Sequence, residues 1–175
     1  MKLKRITKIS ILAALLCVLS PISFPVGAIP ISLATFVIYV IATILNPIDT
    51  LFVILVYIAL GSIGIPVFSF YRSGIETLFG LTGGYIVGYI FIGLATSIGV
   101  NKRRKQFGWY IVWMTIGTII CYAIGSIWYM AISKSSLNQT LMVAVIPFII
   151  PDVVKMLIAS YVGYFINNKT NIGIS

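Results

Sequence analysis

The chain has 175 residues, 60% hydrophobic and only 9% charged, with a mean hydropathy of +1.11, whereas a water-soluble domain carries about 25% charged residues. Its net charge of +9 comes mainly from two basic blocks beside apolar runs, Lys2, Lys4, Arg5 and Lys8 at the start and Lys102, Arg103, Arg104 and Lys105 in the middle, which is the pattern of membrane topology rather than of a nucleic-acid surface. Histidine is absent, and Cys17 and Cys121 sit inside apolar stretches, which argues against a resident metal, haem or catalytic triad and for cysteines that simply pack.

The first span covers about residues 6–19 and continues toward Phe24 before Pro21 and Pro25 break it. A basic start and an apolar run ending near Gly27 and Ala28 imitate a signal peptide, but apolar segments continue through the chain, so the span is read as retained. Ser10, Ala13, Ala14 and Cys17 follow helical spacings of three and four and form a smooth face. Such a face suits close approach of another helix, either a partner's or one of this bundle. Residues 21–30 form a Pro/Gly-rich connector, and the second span, about 31–45, is short against the roughly 20 residues a bilayer needs. Asn46, Pro47 and Asp49 make a turn into the third span, about 50–65, which ends at Gly61, Gly64 and Pro66.

Residues 67–82 are too long for a turn and too apolar for an ordinary solvated loop, which predicts a partly structured outer cap. Arg72 and Glu76, four apart, would share a face if this part is helical, as a surface ion pair or as groups that touch a ligand. Thr82, Gly83 and Gly84 open the fourth span, about 84–100, and the Gly84-x-x-x-Gly88 spacing predicts tight helix packing or close backbone approach. Neither this stretch nor the one around Gly99 has the glycine order of a dinucleotide fingerprint or a phosphate loop, so no ATP hydrolysis is expected of the chain itself. The fifth span, about 109–132, is bounded by Trp109, Tyr110, Trp128 and Tyr129 in the manner of interfacial aromatic belts. After a polar connector at 133–139, the last span, about 141–166, is interrupted near its start by Pro147 and Pro151.

Six spans predict an all-α integral membrane protein, one compact six-helix bundle over residues 1–175. Lys2, Lys4, Arg5, Lys8, Lys102, Arg103, Arg104, Lys105 and Lys169 then share one side, against Arg72 and Lys134 opposite, a nine-to-two split that puts both termini in the cytoplasm. Asp152 and Lys155 lie within the last span, three residues apart on one face. A charge at bilayer depth costs about 2.5 to 3.5 kcal/mol on the insertion scale. Either the two compensate one another or both serve a polar ligand cavity, and Pro151, which frees a carbonyl, supports the cavity. Asp152 can accept from N–H groups of a neutral ligand and Lys155 can attract a carboxylate; the spacing does not assign the two ends of a ligand to the two residues.

The motifs GSIGIPVF (61–68), LFGLTGGYIVGY (78–89) and PFIIPDVVK (147–155), spread over six short spans, resemble the BioY family, the biotin-capturing membrane subunits of energy-coupling-factor transporters. The resemblance implies a six-helix bundle in a prokaryotic cell membrane, with a vitamin pocket near its outer face and binding and passage in place of covalent chemistry. It implies Asp152 and Lys155 as polar ligand contacts, with Arg72, Gly83, Gly84 and Tyr85 shaping or closing the pocket. It also implies a transmembrane coupling subunit that docks on the face of Ser10, Ala13, Ala14 and Cys17, plus two ATP-hydrolysing subunits. Ala34 stands where the family commonly has glutamine, Leu81 where it has proline and Pro151 where it often has glycine, and Glu76 adds charge to a loop usually poorer in it. The ligand is therefore biotin or a close analogue, with no cofactor. Other readings of the residues are a solitary carrier for a small carboxylate and a non-catalytic structural subunit.

Overall fold

The structure, a computed structural model, describes residues 2–25, 29–103 and 106–169, Lys2 by its backbone alone. Gly27 and Ala28 of the first connector, Arg104 and Lys105 of the basic loop, and residues 170–175 of the tail lie outside the described residues. The helices are α1 (Lys2–Leu19), α2 (Ala34–Ile44), α3 (Pro47–Ser62), α4 (Ile75–Phe79), α5 (Gly83–Lys102), α6 (Phe107–Ser133), α7 (Leu137–Ala144) and α8 (Ile146–Lys169). Gly83–Lys102, Phe107–Ser133 and the α7–α8 stretch Leu137–Lys169 are long and apolar enough to cross a bilayer, while α2 and α3 are apolar but shorter. The protein is an all-α, multi-pass membrane bundle.

Local chemistry explains the boundaries. Asn46 caps α3 by accepting from the Asp49 amide at 2.9 Å, with Pro47 in the first turn where its missing N–H costs nothing. Arg5 Nε donates to Asp49 Oδ1 at 2.7 Å, which ties the start of α1 to the α2–α3 turn. That hydrogen bond raises the already high pKa of the guanidinium. Ser136 and Gln139 form a reciprocal capping box on α7, so the chain is helical again within the stretch the sequence suggested as a connector.

Two boundaries differ from expectation. The last span breaks at Val145 (φ −129°, ψ −58°) between α7 and α8, not at its prolines. Pro147 falls in the first turn of α8, where no intrahelical donor is needed, and the helix continues through Pro151. Ahead of α2, Ser23–Phe24 (β1) pairs antiparallel with Ile31–Ser32 (β2) in the register Ser23↔Ser32, so the second span is shorter as a helix than the apolar run that encodes it.

α2 runs through the middle of the bundle, with Ala34, Val37, Ile38, Tyr39, Ile41, Ala42 and Thr43 buried, and packs on α8 and α5. α5 and α6 form the most extensive helix pair. Glycine makes this possible: a Cβ at Gly84 would lie 2.3 Å from Trp128 Cβ, and one at Gly88 2.5 Å from Cys121 Sγ. α1 lies at the periphery, with Ala13 and Leu16 turned inward and Leu3, Ile11 and Val18 outward.

Candidate functional site

The residues above meet in one polar cluster at the centre of the bundle. Asp152 and Lys155, one turn apart on α8, are joined at 3.1 Å, with side chains only 6% and 13% exposed. Lys155 Nζ also donates to the Ser32 carbonyl at 2.8 Å and to Thr35 Oγ1 at 3.1 Å, so each of its three protons has an acceptor. The β1–β2 hairpin supplies the carbonyl and α2 the hydroxyl. From α6, Tyr122 Oη donates to Asp152 Oδ2 at 2.6 Å. Thr35 Oγ1 stands 3.5 Å from Asp152 Oδ1 with its proton directed there, because its oxygen already accepts from the lysine. A charge pair at bilayer depth is tolerated on these terms, as both ions are neutralised and hydrogen-bonded.

The cluster is one wall of a cavity. Asp152, Lys155, Tyr122, Thr35, Cys121 and Phe148 line it, and Tyr85 and Tyr89 of α5, with Ile29 and Pro30, close its other side. Those four residues also line a second cavity, whose further walls include Tyr57, Phe68, Thr77 and Arg72. The free space is about 40 Å³ in the first and about 30 Å³ in the second, room for a few waters each. The two are neighbouring chambers, with Tyr85 and Tyr89 in the wall they share. Tyr85 is fixed there because its Oη donates at 2.9 Å to the Ala144 carbonyl at the end of α7, just before the helix break.

Arg72 sits at the outer end. It follows the short turn Ser69–Tyr71, in which Phe70 and Tyr71 both have φ of 58°, a left-handed backbone that is unusual for bulky residues. The segment is tied down on both sides: Phe70 N donates to Ser23 Oγ at 2.9 Å, and Gly74 N to the Gly61 carbonyl at 2.7 Å. Phe68 is buried edge-on against Tyr57, its ring filling the space over Gly61 where a Cβ would clash at 2.2 Å. Arg72 is exposed and, among the described residues, has no carboxylate partner. Glu76 lies in α4, which starts after Arg72, so the two do not share a helical face; they line an open outer hollow without forming an ion pair.

Asp152, Lys155 and Tyr85 thus line the first chamber, and Tyr85 and Arg72 line the second. Gly83 and Gly84 are not in their walls: they pack α5 against Leu78 and Trp128, and act on the chambers only by bringing α5 close to α6. All three Lys155 protons have acceptors within the protein, the Ser32 carbonyl, Thr35 and Asp152. On α1, Ser10 and Ala14 are exposed and Cys17 is half-buried, but Ala13, 3% exposed, faces the core, because the inward stripe runs through Ala13, Leu16 and Ser20. Sequence reasoning missed Tyr122, Thr35 and Ser32. No local pattern singles them out, although Thr35 directly follows Ala34, the position noted as lacking a polar side chain.

The BioY family model matches residues 1–171. The chain is 33% identical over 163 residues to a biotin transporter BioY2 of Lactococcus lactis subsp. cremoris, covering 93% of this chain and 89% of that one. It is 31% identical over 170 residues to a probable biotin transporter BioY of Pyrococcus horikoshii, covering 97% and 100%. Among solved structures, the S-component for biotin from an ECF-type ABC transporter superposes with a TM-score of 0.89 at 21% identity, over 97% of this chain and 93% of that one.

Proposed function

The chain belongs to the BioY family, and from that premise we propose that it is the biotin-binding S-component of an ATP-driven ECF uptake transporter, a transport subunit and not an enzyme. The observation that carries the reading is the pair of neighbouring chambers with opposite charge arrangements. At one end a buried carboxylate already matched in charge by Lys155 presents an acceptor to an uncharged head with N–H donors. At the other a guanidinium without a carboxylate partner suits an acidic tail, since arginine binds carboxylates through a planar fork. Biotin has this polarity: a neutral urea ring, an apolar middle that fits the tyrosine wall, and a terminal carboxylate. A ligand of that size requires the wall or the outer segment to move apart, because the free space is small.

The whole chain acts as one six-span unit with both termini cytoplasmic, α1, α2, α3, α5, α6 and the α7–α8 stretch being the spans. The ion pair between Arg5 and Asp49 supports this topology, as it joins the N-terminus to the α2–α3 turn at one membrane face. The open side of α1, Ser10 and Ala14 with Cys17 at its margin, receives a transmembrane coupling subunit, which links to two ATP-hydrolysing subunits.

Calorimetric titration of the detergent-solubilised chain with biotin tests the reading. Near-stoichiometric binding that is lost in Asp152→Asn supports it, and failure of the folded wild-type protein to bind biotin refutes it.

A further inference from the structure

We propose that Tyr122 is a specificity-determining residue that restricts the head-group site to uncharged ligands, by filling one lone pair of Asp152 Oδ2 and leaving one for a single ligand N–H. The inference rests on the biotin-binding reading above and adds to it what the site rejects.

The argument is a count of donors and charges. A carboxylate offers about four lone-pair positions over its two oxygens. Lys155 at 3.1 Å and the more distant Thr35 hydroxyl at 3.5 Å are directed at Oδ1, and Tyr122 at 2.6 Å takes one position on Oδ2. One position on Oδ2 remains open, on a side chain that lines the cavity. Lys155 spends its remaining protons on Ser32 and Thr35, so the cluster is electrically closed before any ligand arrives. A cationic head would add a second positive charge beside Lys155 with no free anion to receive it, which is costly among side chains as buried as Asp152 and Lys155. A urea-type head brings an N–H without the charge.

Tyr122 is the adjustable member of this arrangement. It lines the cavity, is half-buried, and its short bond to Asp152 is charge-assisted. Removing its hydroxyl opens a second lone pair on Oδ2 and takes away one hydrogen bond that stabilises the carboxylate's charge. Both changes favour a head that carries extra N–H donors and positive charge.

The test compares biotin with 2-iminobiotin, in which the urea is replaced by a guanidine that is cationic at neutral pH, on the full-length detergent-solubilised chain. Wild-type protein is expected to bind biotin at least about 10-fold more tightly than 2-iminobiotin at neutral pH, and Tyr122→Phe to weaken biotin about 10-fold while sparing 2-iminobiotin, so that the preference collapses. A purely structural role would weaken both ligands alike. Tyr122→Met, equally without a hydroxyl but more adaptable, serves if the phenylalanine variant does not fold. Equal binding of the two ligands by wild-type protein, or an unchanged preference in a folded variant, overturns the inference alone. Absence of biotin binding by folded wild-type protein overturns the biotin reading and this inference with it.

Discussion

The two ends of the candidate site hold charge in opposite ways. At the inner end, Asp152 and Lys155 are buried, and each of the lysine's protons and both carboxylate oxygens have partners drawn from the β1–β2 hairpin, α2, α6 and α8. At the other end, Arg72 stands exposed just after the left-handed residues Phe70 and Tyr71, with no carboxylate partner among the described residues. Solvent access accounts for the difference. A charge at bilayer depth must be neutralised by the protein, so it is built into the packing of several helices. A charge in contact with water needs no internal partner and stays available to a ligand. The inner end should therefore couple binding to stability, and the outer end should not.

The sharpest way to break that contrast is Asp152→Asn. It leaves Lys155 buried with neutral acceptors only, so the expected loss is about 3 to 5 kcal/mol of stability. Biotin affinity is expected to fall by at least about 100-fold as the charged acceptor disappears. Thermal unfolding and calorimetry read the two effects, and an unchanged melting temperature would mean the pair is not the structural element described here. Gly84→Ala acts on the α5–α6 contact next to Tyr85. Its new Cβ meets Trp128 at 2.3 Å, and overpacking of this kind costs about 1 to 3 kcal/mol, visible as a lower melting temperature.

At the outer end, Arg72→Gln should change stability by no more than about 0.5 kcal/mol, as for other exposed sites. It should weaken biotin about 10-fold, the scale of one charge-assisted contact, while leaving biotin methyl ester unaffected. Equal loss for acid and ester would remove Arg72 from the carboxylate. The smallest effect on binding is expected from Ala14→Trp on the open side of α1, with biotin affinity within about twofold of wild type because the site is remote. Co-purification with the coupling subunit should fail. Ala13→Trp, by contrast, should destabilise the bundle itself, since Ala13 is 3% exposed.

The apolar helical segments and the Asp152–Lys155 pair were legible in the chain, because each leaves a local mark. Apolar runs, basic blocks, clustered glycine and proline, and two charges three residues apart can be read without knowing what lies opposite. The helix break at Val145 was not legible, since the prolines nearby were the stronger signal and the fold accommodates both within α8. Nor was the role of Gly83 and Gly84: a pair of glycines signals close approach but does not say to what, and here the answer is Leu78 and Trp128.

The sequence by itself thus determined the solvent of this protein, the rough extent of its apolar segments and the location of its buried charges. Those are properties of composition and short-range spacing. Only the tertiary structure decided that Lys155 is fully occupied, that Tyr122 and Thr35 complete Asp152, that Arg72 lines the neighbouring chamber, and that Ala13 faces inward. Thr35 and Asp152 are 117 residues apart in the chain, and Tyr122 and Asp152 are 30 apart. Whether such groups meet depends on helix rotation and on how closely backbones approach, which only the packing of the whole bundle settles.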